Sequence, residues 1–566
     1  MNYLDLIVLF GTLLTIVGYG VYKTRGQHNI EGYLLGDKSM KWGTIGLSVM
    51  ATQASAVTFI STPGQAYESG MGFVQNYFGL PIALIIVSTV FIPIFYKLKV
   101  YTAYEFLENR FDLKTRLLSA FLFLVQRGLA AGITIYAPAI IISSILGWNL
   151  TMTILITGIL VIIYTVSGGT RAVSITQKHQ MAVIMAGMTA AFFMMIGYIS
   201  DYVTFGEAVS IASRLDKMNA VDFDLNFEKR YTFWSGITGG LFLALAYFGT
   251  DQSQVQRYLG GQNVRESRMG LMFNAVFKIP MQFFILFVGV MAYVFYLFHQ
   301  PPVHFKEASV QLLKDSQYNT EYLALEQEYD NLTDQRRELA ISFAKADESA
   351  QKELGDELSS LDQASIATRE KVKGLITKMD PEIETKDADY VFLTFILNYL
   401  PHGVIGLLIA VIFSAAMSST SSELNALAST TSIDFYKRLV QKGGSDTHYL
   451  NTSKYLTLGW GVIAISFAVL AKNSENLIEA VNIVGSIFYG TILGIFLVAF
   501  FFKKVKGNAV FYAALVAQTA VFVFHFLTLA EVITLGYLWY NAIGCFITII
   551  LSLIIQMLIP KPSSKS

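Results

Sequence analysis

The most regular feature of the chain is a succession of apolar segments separated by short polar connections. A helix needs about 20 mostly apolar residues to cross a bilayer, and thirteen segments meet that requirement. They lie near residues 3–22, 43–66, 73–97, 116–147, 149–167, 180–200, 233–250, 268–298, 392–417, 455–471, 477–502, 508–527 and 531–558. The pattern predicts an all-α polytopic membrane protein with about 13 transmembrane helices, and an odd number places the termini on opposite sides.

Basic residues in the connections predict the orientation, because Lys and Arg concentrate in cytoplasmic loops. Alternate connections carry them, and the short connections of the other face hold almost none, Lys472 being the exception. The basic connections contain Lys97 and Lys99, Arg110 to Arg116, Arg171 and Lys178, Arg257 to Arg268, Lys437 to Lys454, Lys503 to Lys506, and Lys561 and Lys565. We therefore expect the N-terminus outside and the C-terminus in the cytoplasm.

Composition agrees with a membrane protein and excludes several other classes. The chain is 54% hydrophobic and 14% charged, whereas soluble domains are about a quarter charged. A formal net charge of zero gives no indication of a nucleic-acid partner. The single cysteine, Cys545, excludes an intrachain disulfide and a cysteine metal site. Both common nucleotide-binding glycine patterns are missing, so the sequence does not predict an enzyme.

The first apolar segment resembles a signal peptide only in its position. No basic residue precedes it, it contains Asp5, and no small-residue cleavage site follows. We expect a retained first span.

One connection on the outer face is unusually long and acidic. Residues 300–390 contain 20 Asp and Glu and 11 Lys and Arg, 31 of the 82 in the chain. Apolar residues within it keep a three–four spacing, which predicts an amphipathic helix or a helical hairpin. They are Tyr322, Leu325, Tyr329, Leu332, Leu339 and Phe343. The charge favours a solvated appendage, with docking of an extracytoplasmic partner as the alternative.

Polar residues crowd the second apolar segment, "SVMATQASAVTFISTPGQAYESG". Pro63 cannot donate a backbone hydrogen bond, so a helix interruption beside Pro63 and Gly64 is expected. An interrupted helix at mid-membrane frees carbonyl oxygens that bind small cations. Close helix packing through small hydroxyl residues is the alternative.

The seventh segment, "GITGGLFLALAYFGTDQSQVQRYL", suggests a second irregular helix. Gly239 and Gly240 loosen it midway, and a polar group of Asp251, Gln252 and Gln256 follows. The expectation for the polar group is a helix end capped in water.

Two cations lie deep within apolar segments, where an ionised side chain marks a cavity or a buried partner. Lys278 lies about ten residues into the eighth segment, and we expect it to face a cavity. Arg127 lies similarly deep in the fourth. A fixed cation there needs an anionic partner or substrate, which is the preferred interpretation, and a structural ion pair or snorkelling to the interface is the alternative.

Five motifs in order resemble those of the sodium:solute symporters: "QASAVTF" (53–59), "YAPA" (136–139), "GGTRAV" (168–173), "GTDQSQVQRYL" (249–259) and "SAAMSSTSSELNA" (414–426). The resemblance runs from the N-terminus to about residue 560, apart from the acidic connection, and is greatest to the monocarboxylate, multivitamin and iodide branch. It implies a LeuT-type core of two inverted five-helix repeats, formed by the second to eleventh segments. The second and seventh would be the broken helices.

The resemblance also implies a sodium site between the first and eighth core helices. Its ligands would be the carbonyl groups of Ala51, Ala54 and Ala415 and the hydroxyl groups of Ser418 and Ser419. Hard cations prefer such oxygen ligands. The family usually has an acidic residue after the glycine pair, and this chain has Gln177 in its place. That departure favours a single sodium ion.

The substrate positions of relatives correspond here to Gln53, Ser55, Thr58, Tyr77, Tyr247, Phe248 and Lys278. Arg127 lies about one turn from the arginine that sialic acid transporters use for a carboxylate. The polar residues of the sugar transporters correspond to Val57 and Thr58, and their asparagine to Ala244, which disfavours a hexose site.

The sequence therefore predicts a symporter of the cell membrane that imports a small polar organic solute with Na⁺. Arg127 and the branch resemblance favour a carboxylate, whereas a single sodium ion favours a neutral solute such as a sugar, polyol or amino acid. A membrane sensor acting through a partner is a remote alternative, and a proton-coupled transporter is disfavoured.

The chain divides accordingly into five parts. These are an extra span and loop (1–40), the first part of the core (41–299), the acidic insertion (300–390), the remainder of the core (391–505) and two C-terminal spans with the tail (506–566).

Overall fold

The computed structural model describes residues 2–24, 32, 38–381, 383, 385–470 and 477–558, and this part of the chain is helical without named β-strands. Its first half contains α1 (Tyr3–Thr24), α2 (Trp42–Gln53), α3 (Ala56–Ser69), α4 (Leu80–Ile86), α5 (Ile92–Leu98), α6 (Glu105–Arg110), α7 (Leu113–Leu146), α8 (Leu150–Ile199), α9 (Phe205–Arg214), α10 (Phe233–Ser235), α11 (Leu241–Thr250), α12 (Gln252–Leu259) and α13 (Val264–Phe298).

The second half contains α14 (Glu307–Lys314), α15 (Asn319–Lys345), α16 (Glu348–Met379), α17 (Ala388–Tyr399), α18 (Val404–Thr430), α19 (Asp446–Leu470), α20 (Leu477–Phe501), α21 (Gly507–Leu529) and α22 (Leu538–Leu558). A 3₁₀ helix covers Gly70–Tyr77, and π-helical turns cover Val87–Phe91, Gly236–Gly240 and Thr431–Val440.

Ten helical stretches of the described residues are long and apolar enough to cross a membrane, and two shorter apolar helices accompany them. The shorter ones are Tyr3–Ile16 and Leu150–Val166. The expected number of thirteen and the orientation remain predictions. Arg25, Lys472, Lys561 and Lys565, four of the basic residues outside the helices, lie outside the described residues.

Two helices are broken, and each break differs from the expected position. The first lies between α2 and α3 at Ala54 and Ser55, not at Pro63, which lies inside α3. Pro63 lies in the interior of α3, where it leaves the Phe59 carbonyl without the amide donor that another residue would supply. The second break is at Asp251, whose extended backbone separates α11 from α12.

The polar group after the seventh segment is not a helix end in water. Asp251, Gln252 and Gln256 are all buried. The Asp251 carboxylate caps α12 by accepting the Ser253 amide at 2.9 Å. The irregularity expected at Gly239 and Gly240 does occur, as the π-helical turn Gly236–Gly240.

The ninth apolar segment begins and ends later than residues 392–417. The chain forms α17, bends at Leu400 to Gly403, and then forms α18, which is buried along most of its length. Ser418 to Ser422 therefore lie in the middle of a buried helix and not at its exit. α18 packs against α1, α2, α7 and α8, at the centre of the helical bundle.

The N-terminal helix docks on the start of α18. The Asp5 carboxylate accepts hydrogen bonds from the Gly403 amide at 2.5 Å and from His402 Nδ1 at 2.8 Å. The end of α1 that carries Asp5 therefore lies beside the bend before α18.

The acidic insertion forms an antiparallel hairpin of α15 and α16, as its apolar spacing predicted. It is not a freely solvated appendage. Arg336 of α15 and Asp362 of α16 are buried, and Arg336 Nη2 donates to the Tyr293 hydroxyl of α13 at 3.0 Å. The hairpin is packed on the helical bundle through ionised groups, so a high charge content did not imply full solvation.

Candidate functional site

A cavity lies beside both helix breaks, enclosed by the residues around Ser55, the end of α11, and helices α7, α18 and α20. Its volume is about 90 Å³, which exceeds the ~10–15 Å³ that one water molecule requires. The lining residues include Thr52, Gln53, Ser55, Asn76, Tyr77, Arg127, Thr134, Tyr247, Phe248, Glu423, Asn482 and Tyr489.

Six of the eight predicted substrate residues line this cavity: Gln53, Ser55, Tyr77, Arg127, Tyr247 and Phe248. The other two do not. Thr58 is buried in the first turn of α3, where its hydroxyl donates to the Gln53 carbonyl at 3.4 Å. Lys278 is buried behind Tyr77.

The polar atoms of the cavity include acceptors that no described residue satisfies. Gln53 Oε1 and Asn76 Oδ1 are buried without a hydrogen-bond partner among the described residues. Unpaired buried polar groups are costly, so a bound solute that donates to them gains affinity. Tyr247 is oriented by Gln254, whose Nε2 donates to the Tyr247 hydroxyl at 2.6 Å.

Arg127 is held by two acidic side chains that come from distant parts of the chain. Its Nη1 donates to Glu423 Oε1 at 3.0 Å, and its Nη2 forms an ion pair with Asp251. The Tyr489 hydroxyl joins the cluster, accepting from Arg127 Nη2 at 2.5 Å and donating to Asp251 Oδ2 at 2.7 Å. This acid–arginine cluster contains two carboxylates for one guanidinium.

The helix break positions this cluster. Because the chain is extended at Asp251, the carboxylate can cap α12 with one oxygen and meet Arg127 with the other. Glu423 lies on α18, and its second oxygen accepts from the Thr134 hydroxyl of α7 at 2.7 Å. The cluster thus joins the broken helix to α7, α18 and α20.

Lys278 has a different environment from Arg127. It is fully buried, and its Nζ has no hydrogen-bond partner among the described residues. The Nζ lies 5.7 Å from the centroid of the Tyr77 ring, which lines the cavity. One aromatic ring therefore separates an unpaired ammonium group from the cavity.

Four of the five predicted sodium ligands line a second, very small space beside the first break. Ala51, Ala54, Ala415 and Ser418 surround it, and it has no room for a water molecule. The Ser418 hydroxyl is buried without a partner among the described residues. Ser419 is adjacent, and its hydroxyl donates to the Ala415 carbonyl at 2.9 Å.

The donor set fits a sodium ion. The last carbonyls of a helix lack intrahelical partners, and Ala51 lies in the last turn of α2. Together with the Ser418 oxygen, the site offers neutral hard oxygens, which suit an alkali cation. Among the described residues no group of three or more His, Cys, Asp or Glu is arranged to hold a metal ion.

Two glutamines complete the walls of this small space, and one of them was missed in the sequence. Gln177 Oε1 accepts from the Ser48 hydroxyl at 2.7 Å, and its Nε2 donates to Thr52 at 3.2 Å. Gln180 was not singled out, although its Oε1 is buried without a partner among the described residues. The sequence signal that could have identified Gln180 is its position one helical turn after Gln177.

Glu423 and Asp251 are the other residues whose role the sequence did not reveal. Glu423 stands within the motif "SAAMSSTSSELNA", but the apolar segment that predicts the ninth span ends at residue 417, before Glu423. With α18 extending to Thr430, an acidic residue lies inside a buried helix. Such a residue marks a buried partner or a functional site.

Comparison with known proteins identifies relatives of the whole chain. The family model described as "Sodium:solute symporter family" matches residues 33–316 and 380–517. Residues 317–379, which include the whole helical hairpin of α15 and α16, fall between the two matched segments.

The similar proteins of known function are sodium-coupled transporters. The sodium-coupled monocarboxylate transporter 1 of Xenopus laevis is 28% identical over 506 residues, covering 89% of this chain and 68% of the relative. The human sodium/iodide cotransporter is 31% identical over 290 residues, covering 50% of this chain and 44% of the relative. The rabbit sodium-dependent multivitamin transporter is 26% identical over 499 residues, covering 88% and 66%.

Among solved structures, a Na⁺-coupled sialic acid symporter in a substrate-bound outward-open state has a similar fold. The TM-score is 0.74 at 24% identity, with 99% of this chain and 98% of that chain covered. This likeness establishes the LeuT-type fold for the described helices.

Proposed function

Because this chain belongs to the sodium:solute symporter family, we propose that it imports a small organic carboxylate together with one sodium ion. Its class is not in doubt: it is a multi-pass membrane protein that couples Na⁺ to the movement of a small solute, and its family is one of transporters and not of enzymes. The proposal concerns the solute, the ion number and the residues that bind them.

Lys278 carries the assignment of a carboxylate. A buried ammonium group without a charged or hydrogen-bonding partner is unfavourable in the protein interior, and Lys278 has neither among the described residues. A solute carboxylate in the adjoining cavity would supply the missing negative charge. The names of the relatives agree with an anionic solute, since monocarboxylates and iodide are anions.

The solute would occupy the cavity at the helix breaks. Gln53, Ser55, Tyr77, Tyr247 and Phe248 line it and would contact the body of the solute. Arg127 has a positioning role in this proposal, because Asp251 and Glu423 hold its two terminal nitrogens and neutralise its charge. In this proposal Lys278, and not Arg127, interacts with the carboxylate of the solute.

The sodium ion would be held by Ala51, Ala54, Ala415, Ser418 and Ser419. These residues join α2 to α18, so the ion would tie together two helices that must separate during alternating access. Gln177 provides no negative charge for a second ion, which supports a stoichiometry of one. Because these ligand oxygens carry no net charge, they would bind the ion weakly enough for its release in each transport cycle.

The stoichiometry limits what the transporter can accumulate. One sodium ion entering down 100 mV releases ~2.3 kcal/mol, and a tenfold concentration gradient adds ~1.4 kcal/mol. For a monoanion the electrical part cancels, so one sodium concentrates it only about tenfold. A neutral solute could reach roughly 500-fold.

A neutral solute is the second candidate, favoured by the acid–arginine cluster. Arg127 is neutralised by fixed side chains, and the remaining carboxylate charge of Glu423 faces the cavity. That carboxylate would accept hydrogen bonds from hydroxyl groups of a polyol or from the amine of an amino acid.

Uptake into proteoliposomes tests the two candidates directly. Pairs of solutes that differ only as carboxylate and amide are offered with and without an inward sodium gradient. We expect sodium-dependent uptake of the carboxylates, and Lys278→Met should raise their half-saturating concentration by about 10- to 150-fold. Lys278→Arg, which keeps the charge, is the matched control.

Two results would decide against the carboxylate. Equal uptake of the amides would favour the neutral solute. Unchanged carboxylate uptake by Lys278→Met would show that the ammonium group does not face the solute at any step.

A further inference from the structure

A second cavity lies where the insertion meets the helical bundle, at the far end of α3 from the helix break. Its volume is about 230 Å³, larger than that of the cavity at the breaks. α3, the segment after α9, α13 and both helices of the hairpin contribute to its walls. Glu68, Ile366 and Glu370 are exposed at its edge, so the cavity communicates with solvent.

Most cations of this hairpin cavity have acidic partners. Arg336 pairs with Asp362 at 2.6 Å, Arg369 pairs with Asp387 at 2.7 Å, and Lys373 pairs with Glu370 at 2.9 Å. The pairings leave Lys217, which is 7% exposed and has no carboxylate within 4 Å among the described residues. Its Nζ donates to the Glu68 carbonyl at 2.7 Å and lies 4.4 Å from the centroid of the Tyr293 ring.

The backbone holds Lys217 firmly at this place. Its carbonyl accepts the Met71 amide at 2.9 Å, and its own amide donates to the Ala212 carbonyl at 2.9 Å. Gly70, with φ of +71°, permits this contact, because a Cβ there would lie 2.7 Å from the Lys217 carbonyl oxygen. Lys217 therefore faces the cavity as a consequence of the fold and not as a flexible surface lysine.

Two further observations indicate unused capacity to bind an anion. Arg336 Nε is buried without a hydrogen-bond partner among the described residues, although Arg336 is only 5% exposed. Burial lowers the pKa of Lys217 to about 8, because desolvation outweighs the attraction of Asp362 and Glu68. A bound anion would accept a hydrogen bond from Arg336 Nε and would stabilise the charged form of Lys217.

The remaining walls are aromatic and apolar. Tyr67, Tyr293 and Tyr329 line the cavity and are nearly completely buried, and Ile366 lies at its edge. Arg369 lies 5.8 Å from the centroid of the Tyr67 ring. An ammonium group without an ion pair beside aromatic faces, with the carboxylates of Glu68 and Glu370 at the edge, suits a singly charged anion with an apolar body better than a multiply charged phosphate.

We propose that the hairpin cavity is a second binding site, for a small organic carboxylate, formed jointly by Lys217 and Arg336. The carboxylate meets the ammonium group and Arg336 Nε, and its apolar body lies against the tyrosine rings. This site is separate from the transport cavity and does not depend on which solute is carried. Arg336, Asp362 and Arg369 all lie in the segment that the family model does not match.

Equilibrium binding of radiolabelled benzoate to the full-length protein in detergent at pH 7 tests the proposal. Benzoate combines one carboxylate with one aromatic ring, and benzyl alcohol is its neutral counterpart. We expect saturable binding that unlabelled benzoate displaces and benzyl alcohol does not. Lys217→Met should weaken it by at least about tenfold, and Lys217→Arg should preserve it.

Lys278→Met separates this site from the transport cavity. Benzoate binding that persists in Lys278→Met but is lost in Lys217→Met supports the second site, even if carboxylate uptake fails and the proposed function is wrong. The reverse pattern overturns it, because the anion then binds only at the transport cavity.

Two other results also overturn the proposal. One is unchanged benzoate affinity in a folded Lys217→Met variant. The other is displacement of benzoate by equimolar inorganic phosphate, which would assign the cavity to a different anion. If Lys217→Met does not fold, Arg336→Lys removes the Nε donor while keeping the charge, and unchanged affinity in that variant contradicts the proposed geometry.

Discussion

The molecule contains two buried clusters of ionised side chains, and they differ in how their cations are paired. At the helix breaks, Arg127 faces both Asp251 and Glu423. Beneath the hairpin, Arg336 has its own partner in Asp362, and Lys217 remains without one among the described residues. A buried cation therefore does not by itself mark an anion site, because its neighbours decide whether it can bind another group.

The two clusters also differ in their origin. The first is built from core helices that match the family model, and the second requires residues between the matched segments. The core cluster joins core helices to one another, whereas the hairpin cluster fixes an added element to them. The following experiments test this comparison, in order of decreasing expected effect.

The largest effect is expected from Arg127→Met. The substitution leaves Asp251 and Glu423 buried without their counter-charge, which typically costs ~3–5 kcal/mol. Thermal unfolding in detergent should show a strong loss of stability, and Arg127→Met with Asp251→Asn should recover part of it. If the Arg127→Met variant is as stable as the parent and loses only carboxylate uptake, then Arg127 binds the solute carboxylate and does not have a structural role.

The proposed sodium site contains no ionised side chain, and its substitutions should affect ion binding more than folding. Ser418→Ala or Ser419→Ala should raise the sodium concentration for half-maximal uptake by about 5- to 150-fold, corresponding to ~1–3 kcal/mol. Ser429→Ala, on the same buried helix but away from the site, is the control. Unchanged sodium dependence in both variants would mean that these serines only pack the helix.

Benzoate binding at the hairpin cavity should depend on pH through Lys217. Its pKa of about 8 means that the ammonium form, which attracts an anion, is lost as the pH rises through that value. The other titratable and charged groups of the cavity are Tyr67, Glu68, Tyr293, Tyr329, Arg336, Asp362, Arg369, Glu370 and Lys373. The ordinary pKa values of these residue types lie outside pH 7–9. Affinity should fall up to about tenfold from pH 7 to 9, and the Lys217→Arg variant should show no such fall.

The smallest effect is expected from an ion pair of the hairpin that remains in water. Lys371 Nζ lies 3.2 Å from Glu328 Oε1, and both side chains are about half exposed. Lys371→Ala should change stability by at most ~1 kcal/mol, since exposed pairs contribute little. A loss as large as that of a buried pair would show that exposure is not what separates the two kinds of cluster.

The sequence determined the class of protein and, through the family resemblance, suggested ligands for a sodium site. Apolar segments of membrane-spanning length follow from composition alone, and the hairpin follows from the spacing of Tyr322, Tyr329 and Phe343. Local motifs also placed Ala51, Ala54, Ala415 and Ser418, which the fold brings around one small space. Short-range patterns succeed here because a helix period and a motif depend on neighbouring residues.

The tertiary structure alone decided the partners of the buried charges. Arg127 and Glu423 are 296 positions apart, and Lys217 reaches residues of the hairpin more than 100 positions away. It also decided where the helices break, because Ala54 and Asp251 are freed by packing and capping and not by proline. Whether a cation is satisfied or available depends on groups that only folding brings within a few ångströms, since electrostatic interactions are governed by distance and burial and not by position along the chain.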